Sequence, residues 1–287
     1  MGTASDRAVL GSHTGAVDAP GPGLIASRAA LLDVLDALDA HREALVVVGA
    51  HAVYEHTLNS GLSATVTVDA VTMVVPRLVA ADHSTETALI GAGLHRRDQA
   101  RPGIYVHPAR DATVDLICPE AVAGAGRRGA RIVGQSKQSV GRAVGLELAL
   151  ADHDWKTITA LDGSGRSANV KIAGTAAMLC AKAHKLADRF DDVASSGKPE
   201  RLRPKDAADV WRLMKVSDPR GARAVFDANR SDPSIGQAVD EGCDHLINLF
   251  AQHSGLLERL KESLTTVEAA GADQFINDWM TEFAKPA

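Results

Sequence analysis

Hydrophobic positions fall into two patterns and divide the chain into halves. In the first half short apolar runs dominate. Ala44-Leu45-Val46-Val47-Val48 is β-branched and closed by Gly49, which predicts a buried strand. A short helix is expected over 50–57. Over 64–75, Thr65, Thr67 and Asp69 alternate with Val66 and Val68, and Pro76 ends the run. That period of two predicts a second strand. Further strands are expected over 104–107 and 113–117, with weaker strand patterns over 131–134 and 146–150. A helix is expected over 85–94. Upstream, Leu31, Leu32, Leu35 and Leu38 recur at helical spacing behind Ser27, which the pattern offers as the N-cap.

After Gly174 the period is helical to the end. Helices are predicted over 174–190, 204–216, 218–229, 235–252 and 262–283. Ser195-Ser196-Gly197-Lys198-Pro199 separates the first two. Residues 1–23 are small, polar and Gly/Pro-containing, and read as a disordered lead. The expected architecture is α+β: a mixed α/β domain over 24–172, then an all-helical domain over 173–287.

Composition narrows the partners. Among 287 residues, Lys+Arg 31 against Asp+Glu 36 gives a net charge of −5. An acidic total excludes nucleic-acid binding by bulk charge and requires a local basic patch. Aromatic residues are 3%, too few for a base-stacking platform on single strands. Cys118, Cys180 and Cys243 are widely spaced and odd in number, so neither a zinc site nor a disulfide framework is readable. His41, His51 and His56 lack metal-site spacing as well. Buried, reduced thiols, no signal pattern and no apolar stretch of about 18 residues predict a cytoplasmic protein with no membrane partner.

Five segments carry candidate chemistry. At Val48-Gly49-Ala50-His51 a strand feeds a helix through glycine, which points helix N-terminal N–H groups at one spot suited to phosphate. Asp69 and Asp115 are lone acids in apolar strand patterns. Each either faces solvent or binds something, since a buried carboxylate without a partner is costly. On neighbouring strands the two would share one Mg²⁺. Over 174–190, Ala176, Leu179, Ala183, Leu186 and Phe190 make a core face. Lys182, Lys185 and Arg189 form a stripe at its edge, either a cleft wall or a solvated basic margin. In Pro204-Lys205-Asp206-Ala207-Ala208-Asp209-Val210-Trp211, Asp206 and Asp209 share a face, as site residues or as acids favoured by the helix dipole.

In order and spacing these segments resemble the AbiEii/AbiGii-type (MenT-like) nucleotidyltransferase toxins, of the polymerase-β-like nucleotidyltransferase superfamily. The likeness runs from about Ala44 to about Met214. It is carried by Val48-Gly49-Ala50-His51, Thr67-Val68-Asp69-Ala70-Val71, Val114-Asp115-Leu116-Ile117, Lys182-Ala183-His184-Lys185 and Lys205-Asp206-Ala207-Ala208-Asp209. The resemblance implies transfer of a nucleoside monophosphate from an NTP to RNA, with the tRNA 3′ end as acceptor, Mg²⁺ as cofactor and an antitoxin as partner. It implies Asp69, Asp115, Lys185 and Asp206 as catalytic residues, Asp69 and Asp115 also holding the metal. Nucleotide contacts are implied for Gly49, Ala50, Thr67, Lys182, Lys185, Arg189 and Lys205.

One departure matters: Val71 stands where the family has a second aspartate. It leaves open a nucleotidyltransferase fold that binds nucleotide without turnover. A sugar- or antibiotic-modifying nucleotidyltransferase shares the same site chemistry, with a small-molecule acceptor. Arg96, Arg97, Arg101, Arg110, Arg127, Arg128, Arg131 and Lys137 form a basic run, either an RNA backbone path or a solvated surface. A phosphate on Thr67, two residues before Asp69 on the same strand face, is expected to inhibit.

Overall fold

A computed structural model describes residues 19–98, 100–250 and 254–285. Most of the expected lead, residues 1–18, lies outside them. The α/β half runs α1 (Pro22–Ala37), β1 (Leu45–Val48), α2 (Gly49–Thr57), β2 (Asp69–Val74), α3 (Thr85–Gly91), β3 (His95–Arg96), β4 (Ile104–His107), β5 (Ala112–Pro119), β6 (Gly141–Ala143), β7 (His153–Thr159) and β8 (Ser167–Ala173). The helical half is α4 (Thr175–Ser196), α5 (Pro204–Val216), α6 (Pro219–Asn229), α7 (Gly236–Leu249), α8 (Ser254–Lys261), α9 (Thr266–Ala269) and α10 (Ala272–Phe283). Strands therefore occupy the first half and helices the second, an α+β fold.

The strands form one mixed sheet in the order β3-β4-β5-β2-β1-β8-β7, with β6 pairing the far end of β5. The interior strand β1 is buried at all four positions because it is apolar on both faces. It pairs antiparallel with β2 and parallel with β8. β5 lies parallel to β2 with Asp69 opposite Thr113 and Val71 opposite Asp115. α1 packs across β2, β5 and β8. The helical half joins the sheet through the β8–α4 connection and through α2, which packs on both α4 and α5.

Several boundaries differ from the sequence expectation for identifiable reasons. α1 starts at Pro22, so Ser27 is inside the helix rather than capping it. Proline suits a first helical position because its missing N–H has no partner there anyway. Ser27 is buried, and its hydroxyl meets His51 Nε2 at 3.1 Å. Next to it, buried Arg28 pairs with Glu55 at 2.6 Å, which ties α1 to α2. His51 is thus a packing residue, while His56 bonds the Ala173 carbonyl and His41 Nδ1 accepts the Ala80 N–H.

The expected strand over 64–75 begins only at Asp69. Before it, Thr65 and Thr67 turn their hydroxyls to Asp209 and to the Asp69 backbone. Residues 131–134 form no strand, and 146–150 holds a 3-10 turn, Glu147–Leu150. The expected helix over 262–283 is two pieces, α9 and α10. Thr265 and Glu268 form a capping box that starts α9, and Gly271 at φ +78 lets the chain turn into α10. The three cysteines are buried and unpaired. Among the described residues no helix is long and apolar enough to cross a membrane.

Candidate active site

The site forms where β1 enters α2. Gly49 adopts φ +69, a left-handed conformation that glycine takes without a steric penalty. A Cβ at Gly49 would lie 3.3 Å from both Cβ and Cγ2 of Val71. The turn therefore rests directly on the β2 side chain two residues beyond Asp69. Ala50 follows in the first turn of α2, half-buried.

Asp69 opens β2. The Thr67 hydroxyl accepts the Asp69 N–H at 3.1 Å and donates to the Asp69 carbonyl at 3.0 Å. Both bonds go to backbone, so they fix where the carboxylate starts without occupying it. Thr67 itself is 4% exposed, and this turn encloses its hydroxyl. Phosphorylation there would require the turn to open first.

Asp115, on the neighbouring strand, is half-buried between fully buried Val114 and Leu116. Its Oδ1 is buried and has no hydrogen-bond partner among the described residues. Burial pushes its carboxyl up to about 6, and the Asp69 carboxylate adds to the rise, against Arg97 and Lys185. The two acids therefore share one field, from neighbouring strands with Asp115 two register positions beyond Asp69. Two carboxylates are a donor set that Mg²⁺ accepts, because it usually keeps waters and substrate phosphates in its remaining positions. No group of three or more His, Cys, Asp or Glu residues able to hold a metal occurs among the described residues.

The raised Asp115 pKa makes a stability prediction. An unfolded aspartate titrates near 3.9, so between about pH 4 and 6 the folded state binds more protons. The metal-free fold loses this contribution as pH rises through that window. Asp115→Asn removes the buried charge. In a chelator at pH 7 it is expected to unfold at higher urea than the parent, with the gap closing toward pH 4. Equal midpoints at pH 7 would contradict the placement of Asp115.

α4 and α5 supply the cations. Lys185 Nζ donates to Asp206 Oδ1 at 2.8 Å, and its side chain remains 44% exposed. Burial and the neighbouring Lys182 charge lower its pKa, with Asp206 opposing them. Lys182 is different. Its ammonium is buried, 2.5 Å from Asp209 Oδ2 and 3.6 Å from Asp206 Oδ1. Burial alone would depress it, but the two carboxylates outweigh burial and hold it raised. Asp206 is lowered because Lys182 and Lys185 outweigh its own burial. Both acids of the α5 face are therefore internal partners rather than solvated helix-start charges. The arrangement tethers Lys185 by Asp206 and keeps Lys182 off the surface.

Lys205 lies at the start of α5 within the field of Lys185 and Asp206. Arg189 lies one turn beyond Lys185 and contacts Asp192 at 3.7 Å. The structure thus brings Gly49, Asp69, Asp115, Lys185, Asp206 and Lys205 to one region. It sets Lys182 in the protein interior and leaves Arg189 at the margin.

A cleft of about 620 Å³ opens beside Asp115, lined by Asp98, Arg101, Arg127, Arg128 and Ile117 among others. Gly103 forms its floor at φ +81, and a Cβ there would meet the Leu116 carbonyl at 2.2 Å. Only glycine lets the loop lie this flat on β5, with Arg101 close by. A hollow of about 270 Å³ shares Arg127 and Arg128 and adds Arg131 and Lys137. The basic run is therefore divided. Arg96 pairs with Glu86 at 2.8 Å and Arg110 with Asp33 at 2.9 Å. Arg101, Arg127 and Lys137 carry no side-chain hydrogen bond or ion pair among the described residues.

Sequence reasoning missed the clasp that holds the segment ahead of Asp69. Thr65 donates to Asp209 Oδ1 at 2.6 Å, and Arg212 donates to the Ser63 carbonyl and hydroxyl at 3.0 Å. Ser63 N–H and hydroxyl donate to Glu268, at 2.8 Å and 3.0 Å. The helical half thus fixes the approach to β2. Asp209 and Arg212, three apart on an amphipathic helix, were the available signal. The chain matches no protein-family model, and no curated protein matches it.

Proposed function

We propose that this protein is a toxin-type nucleotidyltransferase that moves a nucleoside monophosphate from an NTP to RNA, the tRNA 3′ end being the proposed acceptor. The observation that carries this reading is the placement of Asp69 and Asp115 on adjacent parallel strands, two register positions apart on one sheet face, beside the Gly49 turn and the tethered Lys185. The family resemblance of the same residues supports it.

In the proposed reaction an acceptor hydroxyl oxygen attacks the α-phosphorus. The bond between the α-phosphorus and the bridging oxygen breaks, pyrophosphate leaves, and the hydroxyl proton goes to solvent. Asp69 and Asp115 would hold a Mg²⁺, which would supply charge withdrawal at the α-phosphate. The chain's own residues do the positioning. Gly49 lets phosphate oxygens approach the backbone N–H groups at the start of α2. Lys185 offers a compact cation to the triphosphate, and Asp206 holds that ammonium in place while part of it faces solvent. Lys205 adds a second positive charge nearby.

The cleft favours a polyanionic acceptor over a small neutral one. Arg101 and Arg127 line the opening beside Asp115 and carry no side-chain hydrogen bond or ion pair among the described residues, which suits contacts to phosphodiester oxygens. Arg127→Ala is expected to weaken tRNA binding and to reduce the slope of log affinity against log salt by about 0.7–0.9. Filter binding between low and moderate salt measures both. An unchanged slope would remove Arg127 from the RNA path.

Three buried thiols suit a reducing cytoplasm, the proposed compartment, and an antitoxin is the proposed protein partner. Val71 favours a second reading, a nucleotide-binding module without turnover. Incubation with Mg²⁺, each labelled NTP and total tRNA separates the two. Label on tRNA supports transfer; bound NTP with no label on any RNA supports the module.

A further inference from the structure

We propose that this site takes a single divalent cation per chain, held by Asp69 and Asp115, and that Val71 excludes a second. The inference rests on the nucleotidyl-transfer reading and specifies its metal content. Asp69 and Val71 are two apart on β2, so their side chains leave the same face of the sheet. Val71 is in register with Asp115 on β5 and with Val48 on β1. A Cβ at Gly49 would stand 3.3 Å from both Val71 Cβ and Cγ2. The valine side chain therefore fills the space between the β1–α2 turn and Asp115. It presents hydrocarbon where a carboxylate at this position would bring oxygen donors next to Asp69.

Charge leads to the same count. Paired-cation sites place ions about 3.5–4 Å apart, so four positive charges must be balanced locally. Without nucleotide, two carboxylates stand there among the described residues, and Arg97 and Lys185 already act on Asp115. One cation with one or two carboxylates, completed by water and phosphate, matches that donor set. The buried Asp115 Oδ1, without a partner among the described residues, is the oxygen such an ion would satisfy. Valine at 71 and glycine at 49 thus act together: the glycine admits the valine, and the valine closes the second position.

The test counts Mn²⁺ ions on the full chain by the electron paramagnetic resonance signal of free Mn²⁺. Titrations are run without nucleotide and with each of the four α,β-methylene NTPs, against nucleotide-only controls. The expected result is one ion per parent chain, lost in Asp69→Asn. Val71→Asp is expected to bind two, with the spin coupling of neighbouring Mn²⁺ ions. Circular dichroism checks each fold, and Val71→Asn replaces Val71→Asp if the latter does not fold. Two ions on the parent chain, one ion that survives Asp69→Asn, or a folded position-71 variant still at one ion would each overturn the proposal. No Mn²⁺ on any of the proteins under any condition would overturn the nucleotidyl-transfer reading along with it.

Discussion

Asp69→Ala is expected to lower nucleotidyl transfer by at least about 10³-fold, the scale on which a lost charge-stabilising group acts in a preorganised site. With Val71 beside it, Asp69 is one of two carboxylates that share this position among the described residues, so half of that donor set disappears with it. The fold should tolerate the change. Asp69 is the first residue of β2 and only half-buried, and the bonds it makes with Thr67 run through its backbone. Its stability cost is expected below about 1 kcal/mol, as for surface positions without a buried partner. Parallel urea melts and transfer assays separate the two effects. A variant that keeps a tenth or more of the parent rate would take Asp69 out of the chemistry.

Asp209→Ala is expected to do the reverse, damaging the fold first. Asp209 is 1% exposed and receives Lys182 at 2.5 Å, Thr65 at 2.6 Å and Arg212 at 3.7 Å. Removing it leaves a buried ammonium with Asp206 alone, 3.6 Å away. Breaking one side of a buried ion pair typically costs about 3–5 kcal/mol. The double variant Asp209→Leu with Lys182→Met should recover much of that loss, because the unpaired charge goes with its partner. Chemical denaturation of the single and double variants measures the difference. A single-variant loss under about 1 kcal/mol would show that Lys182 finds another partner or reaches water.

These two residues also mark what a sequence discloses. β1 and β4 were legible because apolar, β-branched runs have few alternatives to a strand, and their expected positions agree with the structure. Asp69 and Asp115 stood out because isolated acids in such runs call for an explanation. Their mutual register was not legible, since it depends on a β2–β5 pairing between segments more than forty residues apart in sequence. The β7–β8 hairpin was missed because its side chains conceal the pattern. Lys171 lies in β8, with its ammonium over the Trp155 ring and near Glu43, so a charged residue is accommodated in a strand. The Lys182, Lys185 and Arg189 stripe looked uniform by helical spacing. Burial divides it into an internal ion, a tethered cation and a marginal arginine, because α5 covers only part of α4. Residues 64–68 had strand alternation but serve a different purpose: their inward hydroxyls bond to Asp209 and to the Asp69 backbone. Periodicity records which side chains turn inward, and it does not say whether backbone or side chain receives them.

The proposed activity of this constellation is transfer of a nucleoside monophosphate. It is tested most directly by supplying tRNA and Mg²⁺ with each NTP labelled in turn at the α- and the γ-phosphate. For at least one NTP, α-label is expected to become covalently attached to RNA while γ-label is released as pyrophosphate, and Asp69→Ala is expected to abolish both. Label transferred from the γ-phosphate, or α-label incorporated equally by Asp69→Ala, would contradict it.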